Sequence, residues 1–335
     1  MSATLLIPAA EMQSQLKKVL LNNGFNNEPA TTCAEIFTAN SVDGVYSHGI
    51  NRFARFVDGV RAGYIHPNQR AVSTHRAGSV EQWDGQSGPG PVNALQCTDR
   101  AMELAREHGM GCVALSNTNH WMRGGTYAWR AAKAGFVFIG WTNTIANMPA
   151  WGALDRRLGN NPLIMAVPFQ NEAIVLDMAM SQYSYGALEV AELKKEKLSV
   201  VGGYDESGQL TNDPTAVKKT QRVLPIGYWK GAGLSLLLDV IATVLTGGLS
   251  TSQITKQGID KNQSQVFICI DASRLSHAAR IAALVEQIIA DYQESQPTNG
   301  GTIRYPGENV VKLRAQNLAN GIPVLKTQWE EILAM

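Results

Sequence analysis

Ser47-His48-Gly49-Ile50-Asn51-Arg52 places an imidazole and a guanidinium four residues apart. At the start of a helix, that spacing sets both side chains on one face, about a turn apart. A guanidinium can clamp a carboxylate in a bidentate fork while an imidazole exchanges a proton with an oxygen on the neighbouring carbon. The pair therefore has the grammar of acid–base work beside an anchored carboxylate. On spacing alone it equally suits a capping-region histidine and a surface arginine. A helix N-terminus disfavours imidazolium, so a proton donor at His48 calls for a compensating carboxylate, and Asp43 is the nearest in sequence.

Asn117, Asn119, His120 and Arg123 form a second constellation, followed by Gly124-Gly125. Amides and an imidazole on a loop at the carboxyl end of a strand suit recognition of hydroxyls and carbonyls, although such a turn can also satisfy its own backbone. Asn143 ends the next strand and is expected to face the same crevice. Neither Gly85-Gln86-Ser87-Gly88-Pro89-Gly90 nor Gly231-Ala232-Gly233 has the glycine spacing and βα context of a Rossmann fingerprint. The P-loop, H-E-x-x-H and G-x-S-x-G patterns are absent, which argues against a Walker-type nucleoside triphosphatase, a zincin and an α/β-hydrolase.

These residues need a scaffold. Residues 1–65 carry helical periodicity: Met12, Leu16, Val19 and Leu20 up to Gly24; a second helix capped by Asn27 and ending near Asp43; a third after Ser47 with Phe53, Phe56, Val57 and Val60 inward. From about residue 70 short apolar runs alternate with helical segments. Gly111–Leu115, Tyr127–Ala134 and Phe136–Trp141 read as one βαβ unit whose strands end in polar residues at the same sheet edge. Further strands are expected at Leu163–Val167, Ile174–Met178 and Val266–Asp271, with helices at Ala187–Lys195, Gly233–Thr246 and His277–Glu294. Val200–Thr220 and Pro297–Gly307 read as long loops, and Thr327-Gln328-Trp329-Glu330 has the spacing of a capping box.

The 335 residues are 44 % hydrophobic and 17 % charged with a net charge of +1, which fits a folded enzyme and offers no footprint for nucleic acid or anionic lipid. Small molecules are the expected partners. Cys33, Cys97, Cys112 and Cys269 are scattered without metal-ligand spacing and read as reduced core thiols, so no metal is expected. No stretch reads as a secretory leader or a membrane span, and a cytoplasmic location is the expectation.

Val45-Tyr46-Ser47-His48-Gly49, Asn119-His120-Trp121, Asn161-Pro162, Asp177-Met178, Leu224-Pro225, Lys230-Gly231 and Pro306-Gly307-Glu308 occur in an order that resembles the malate/L-lactate dehydrogenase family lacking a Rossmann fold. The likeness runs over essentially the whole chain. Asn119-His120-Trp121-Met122-Arg123-Gly124-Gly125, Tyr183-Ser184-Tyr185-Gly186 and Gly227-Tyr228-Trp229-Lys230-Gly231 resemble a branch that reduces a diketo sugar acid.

The resemblance implies a mixed α/β (α+β) fold: a non-Rossmann cofactor domain with a largely antiparallel sheet, plus a helical lobe. It implies a lobe of residues 1–70 joined by helices of 307–335, a sheet domain of 71–225 and a helix-rich continuation of 226–306. It further implies a homodimer using NAD, with NADH as reductant of a small keto acid. By position His48 becomes the proton donor to the C2 carbonyl oxygen, Arg52 holds the carboxylate, and His120 and Asn143 complete the pocket. The cofactor is implied to lie along Ala173, Ile174, Val175, Leu176, Asp177, Met178 and Ala179, with Trp229, Lys230, Gly307, Glu308 and Asn309 closing on it. The chain departs from the family's Gly-Thr-Asn-Pro at Asn160, and one residue is inserted around Asn171-Glu172. Outside this family, a sugar-acid lyase, isomerase or binding protein with a helical lid fits the same polar residues.

Overall fold

A computed structural model of the chain describes residues 4–276, 278–298 and 300–335. It opens with strand β1 (Thr4–Ile7) and helices α1 (Ala9–Asn22), α2 (Asn27–Val42) and α3 (Ile50–Arg61). Met12, Leu16, Val19 and Leu20 form the buried stripe of α1, and Phe37 packs at 5.2 Å from both Phe53 and Phe56. Asn26, not Asn27, holds the cap position of α2, because the helical hydrogen bonding begins one residue earlier than the sequence suggests.

The chain continues through β2 (Val72–Ala77), β3 (Val80–Asp84), α4 (Gly90–His108), β4 (Met110–Thr118), α5 (Gly124–Lys133) and β5 (Phe136–Thr142). A small hairpin, β6 (Ala146–Pro149) with β7 (Arg156–Gly159), precedes β8 (Leu163–Phe169) and β9 (Glu172–Met178). The segment read as a long loop holds structure of its own. Between α6 (Tyr185–Lys194) and α7 (Pro214–Thr220) lies the short hairpin β10 (Gly203–Tyr204) and β11 (Leu210–Thr211), closed over Leu188, Leu198, Val217 and Val223.

Then come α8 (Trp229–Thr246), α9 (Thr251–Lys256), β12 (Gln263–Asp271), α10 (Ala278–Gln293), α11 (Glu308–Asn320), β13 (Ile322–Leu325) and α12 (Lys326–Leu333). His277, the expected start of α10, lies outside the described residues. The capping box expected at Thr327 is displaced: α12 begins at Lys326 with Leu325 at the cap, so Thr327 is already inside the first turn and no side chain caps it. β13 pairs with β1, and Ile322, Val324, Trp329 and Ile332 complete the core beneath α1 to α3.

The main sheet has seven strands in the order β2-β3-β4-β12-β5-β8-β9, and β3 and β4 are its parallel neighbours. All other adjacent pairs run antiparallel. The fold is thus mixed α/β with a largely antiparallel sheet. The βαβ reading is corrected in one respect. β4 and β5 do run the same way and end at the same edge, but β12 is inserted between them and pairs antiparallel with both. The unit is therefore a split βαβ.

Alternation along each strand sorts side chains between two layers. Val113, Leu115, Phe138 and Phe267 face α4 and α5, where they meet Ala101, Leu104, Tyr127 and Ala128. Cys112, Trp141 and Val266 face α8, against Leu238 and Ala242. The four cysteines are buried and unpaired. Helix α8 is long and apolar enough to cross a membrane, yet here it packs on the sheet, and its Asp239 accepts the Thr251 N–H at 2.9 Å.

Candidate active site

The polar ends of β4 and β5 open toward a cleft of about 1050 Å³ between the helical lobe and the edge strand β9. His48 reaches it from a 3-10 turn, Tyr46–His48, just before α3. Three contacts fix that turn. The Asn40 side-chain amide donates to the His48 carbonyl at 2.8 Å, and Ser41 Oγ accepts the Ile50 N–H at 2.9 Å. Gly49 packs so tightly on α2 that a Cβ there would stand 2.3 Å from Ser41 Oγ. In the first turn of α3, Arg52 lines the same cleft, as the spacing suggests, although His48 itself precedes the helix.

His120 comes from the loop after β4, and its ring stacks on that of His48 with centroids 5.8 Å apart and planes at 26°. The Met122 N–H donates to His120 Nδ1 at 3.0 Å. That bond uses the Nδ1 lone pair, so the neutral ring carries its proton on Nε2 and is a hydrogen-bond donor. His48 Nδ1 lies 2.9 Å from Ser47 Oγ, leaving Nε2 as the free nitrogen.

Burial pushes the His48 imidazole down to about 4, with the Arg52 and Arg123 charges acting in the same direction. His120 is pushed well below the usual histidine range by burial, then by Arg52, His48 and Arg55. The expected partnership of Asp43 with His48 is corrected by the geometry. Asp43 is committed elsewhere, accepting from Arg123 Nη1 at 2.5 Å and from Arg314 Nε at 2.7 Å. Asp177 lines the cleft and accepts the Gly125 N–H at 2.8 Å. Enclosure raises its carboxyl above the usual range, against the opposing pull of Arg123 and that N–H.

Asn143 is not brought to the cleft. Its amide nitrogen donates to Asp239 Oδ1 at 2.9 Å and to the Leu249 carbonyl at 2.7 Å, while its oxygen accepts the Ser264 N–H at 2.8 Å. With those bonds made it fastens β5 to α8 and β12, and the next residue, Thr144, faces the cleft instead. Asn117 is likewise spent on Asp84, at 2.9 Å.

Along the expected cofactor track, Val175, Leu176, Asp177, Ala179 and Gly307 line the cleft. Ala173 and Met178 are packed into the cores on opposite faces of the sheet, and Ile174, Glu308 and Asn309 are outside the lining. Glu308 instead accepts the Tyr305 N–H at 3.2 Å. Trp229 and Lys230 stand at the solvent-facing start of α8, with Lys230 Nζ 5.9 Å from the Trp229 ring. Sequence reasoning passed over Arg55, Tyr64, Asn147 and Asp260, which also line the cleft, and gave no role to Tyr185, which does so too. Of these, Arg55 carried a usable signal, being three residues beyond Arg52 on one helical face.

The wall built by β9 and the loop before α11 fits a flat, polar cofactor group. Gly307 has φ +93°, and a Cβ there would lie 3.1 Å from the Val175 nitrogen, so glycine lets the loop close on β9, where the Val175 N–H donates to the Pro306 carbonyl at 3.1 Å. Asn147 Oδ1 is a buried acceptor without a protein partner, and Asn160, in place of the family's threonine, accepts the Asn147 amide at 2.8 Å and the Thr144 hydroxyl at 3.0 Å. No group of three or more His, Cys, Asp or Glu suited to a metal occurs among the described residues.

The profile of the malate/L-lactate dehydrogenase family matches residues 7–333. The chain belongs to the malate/L-lactate dehydrogenase family. Within it, the chain is 43 % identical over 328 residues to 2,3-diketo-L-gulonate reductase of Escherichia coli O1:K1, covering 97 % of this chain and 98 % of that protein. The Citrobacter koseri reductase of the same name is 43 % identical over 327 residues, with the same coverage. Among solved structures, sulfolactate dehydrogenase from Methanocaldococcus jannaschii superposes with a TM-score of 0.90 at 25 % identity, covering 98 % of this chain and 95 % of that one. Malate dehydrogenase from Pyrococcus horikoshii OT3 gives 0.87 at 26 % identity over 99 % and 95 %. As a member of the malate/L-lactate dehydrogenase family the chain is an oxidoreductase, and the gulonate reductases support a reductase activity.

Proposed function

We propose that this protein reduces the C2 ketone of 2,3-diketo-L-gulonate to 3-keto-L-gulonate with NADH. The observation that carries the reading is the stacked His48–His120 pair beside Arg52 in one cleft. Similarity to reductases of that substrate selects the acid.

Arg52 anchors the C1 carboxylate with its planar fork. That position sets the C2 oxygen beside the two imidazoles. His120 Nε2–H donates to this oxygen and polarises the carbonyl, and its backbone-held Nδ1 keeps it in the donor tautomer. Val175, Leu176, Asp177, Ala179 and Gly307 would hold a nicotinamide cofactor, which would supply the hydride. His48 delivers a proton from Nε2 to the C2 oxygen, so ketone, hydride and proton together make the secondary alcohol. Burial first, and then the Arg52 charge, keep His48 neutral in the free protein at pH 7; the substrate carboxylate offsets the second of these and so favours the protonated ring.

The exposed apolar face of α8, with Leu237, Val240, Ile241 and Val244, supports pairing of two copies as a homodimer. The cytoplasm is the proposed location. The test is loss of absorbance at 340 nm with NADH or NADPH and a panel of 2,3-diketo-L-gulonate, pyruvate, oxaloacetate and a cyclic imino acid. Oxidation of NADH with the diketo acid as preferred substrate supports the reading. Preference for another acid replaces the substrate, and no oxidation with any, together with no NADH binding by fluorescence, removes the redox reading.

A further inference from the structure

A small annex of about 40 Å³ opens beside the main cleft, against Arg52 and His120, and Arg55, Tyr64, Asn119 and Asp260 help to line it. Two of its groups are unusual. Asn119 is 2 % exposed, and its amide nitrogen lies within hydrogen-bond distance of three backbone carbonyls, those of Tyr64, Ser87 and Gly88. Those acceptors fix the orientation of the amide, so the opposite atom is the oxygen, and Asn119 Oδ1 is buried without any partner. A buried acceptor left empty costs free energy unless a ligand or water donates to it.

Arg55 is the second group. It is exposed and has no ion pair or side-chain hydrogen bond among the described residues, and it stands one turn from Arg52, whose guanidinium its charge destabilises. Like charges at this helical spacing weaken a helix, and Asp260 offsets the repulsion on Arg52 in part. Arg55, with an unpaired guanidinium, and Asn119, with an unpartnered oxygen, thus both line the annex, next to the carboxylate clamp and the carbonyl-polarising histidine. A hydroxyl matches both at once. One water needs roughly 10–15 Å³ of such space, so the annex has room for a hydroxyl and the carbon that bears it.

We propose that this annex is a hydroxyl-reading subsite: Arg55 donates to, and Asn119 Oδ1 accepts from, a hydroxyl on the tail of a polyhydroxy 2-keto acid. Arg55 is therefore a specificity-determining residue. The inference rests on the reductase reading above and deepens it, because it states how the enzyme tells a sugar acid from a short keto acid such as pyruvate. A short acid leaves the buried Asn119 oxygen without a partner and Arg55 to water, and sites built to hydrogen-bond a hydroxyl reject analogues that lack it.

The experiment compares kcat/KM for 2,3-diketo-L-gulonate and for pyruvate in the wild type, Arg55→Ala and Arg55→Lys, with melting temperatures as a folding control. The ratio of the two kcat/KM values is expected to fall about 10- to 100-fold in Arg55→Ala, chiefly through KM for the sugar acid, and to recover in part in Arg55→Lys. A ratio that stays at the wild-type value overturns the proposal, whether both activities fall together or neither moves. A wild-type protein that oxidises NADH with neither acid overturns the reductase reading and this proposal with it.

Discussion

His48 and His120 stack at 5.8 Å, yet only His120 has its Nδ1 engaged by a backbone N–H. One ring is thereby locked as a neutral donor while the other is free to change protonation state. Replacing each should separate these roles. His48→Ala is expected to lose about 10²- to 10⁴-fold in kcat with NADH affinity kept, as for loss of a general acid. His120→Phe is expected to lose about 10²- to 10³-fold, as for loss of an oxyanion donor. Single-turnover rates with fluorescence titration of NADH check both, and an unaffected turnover in His48→Ala would remove it as proton donor.

Arg52→Lys should chiefly raise KM for the keto acid, because an ammonium cannot reproduce the two parallel bonds of the guanidinium fork. A rise of about tenfold or more in KM, with a smaller change in kcat, is the expected split. An unchanged KM places the carboxylate elsewhere in the cleft.

The pH behaviour of His48 follows from its surroundings. Its imidazole is held down at about 4, against 6.5 for an ordinary histidine. Between those values the unfolded chain binds a proton that the fold refuses. This contribution to stability is complete above about pH 6.5 and is lost as pH falls toward 4. Titration of the His48 ring by NMR should show the low value in the free protein and an upward move when oxamate, a carboxylate that is not reduced, is added. A ring titrating near 6.5 without ligand, or unmoved by oxamate, contradicts the coupling to the Arg52 charge.

Asp43 ties three parts of the molecule together. It joins the end of α2 to Arg123 before α5 and to Arg314 on α11, and Arg314 continues to Glu172 at 3.0 Å. Asp43→Ala leaves Arg123, whose side chain is 5 % exposed, with its nearest other carboxylate, Asp177, at 3.7 Å. Breaking such a buried pair from one side is expected to cost about 3 kcal/mol or more, read as a lower denaturant midpoint at unchanged slope. Stability equal to wild type would show that Asp177 takes over the pairing.

The elements with local causes were legible in the chain. The helical stripe of α1, the run of β12 and the polar ends of β4 and β5 each follow from a repeat of 3.6 or 2 residues. So did the common approach of His48 and Arg52, because helical spacing is a local property, whereas the arrival of His120 beside them was implied by the family resemblance alone. What spacing does not reveal is which polar side chain is already spent. Asn143, Asn117 and Asp43 have the chemistry of site residues, but partners over 30 positions away in the chain consume their bonding capacity. The neighbourhood of Asn147 and the annex at Asn119 escaped for the same reason: an unfilled acceptor is visible only once every other acceptor has found its donor.

The insertion of β12 between β4 and β5 has a temporal side. Those two strands leave the ribosome well before the strand that bridges them, and at ordinary rates of synthesis the gap lasts on the order of ten seconds. Throughout that interval the nascent chain carries two apolar strand edges that no nearby segment can cover, which is the kind of surface chaperones bind and aggregates grow from. The middle of the main sheet is closed late, by a segment that supplies none of the histidines of the cleft.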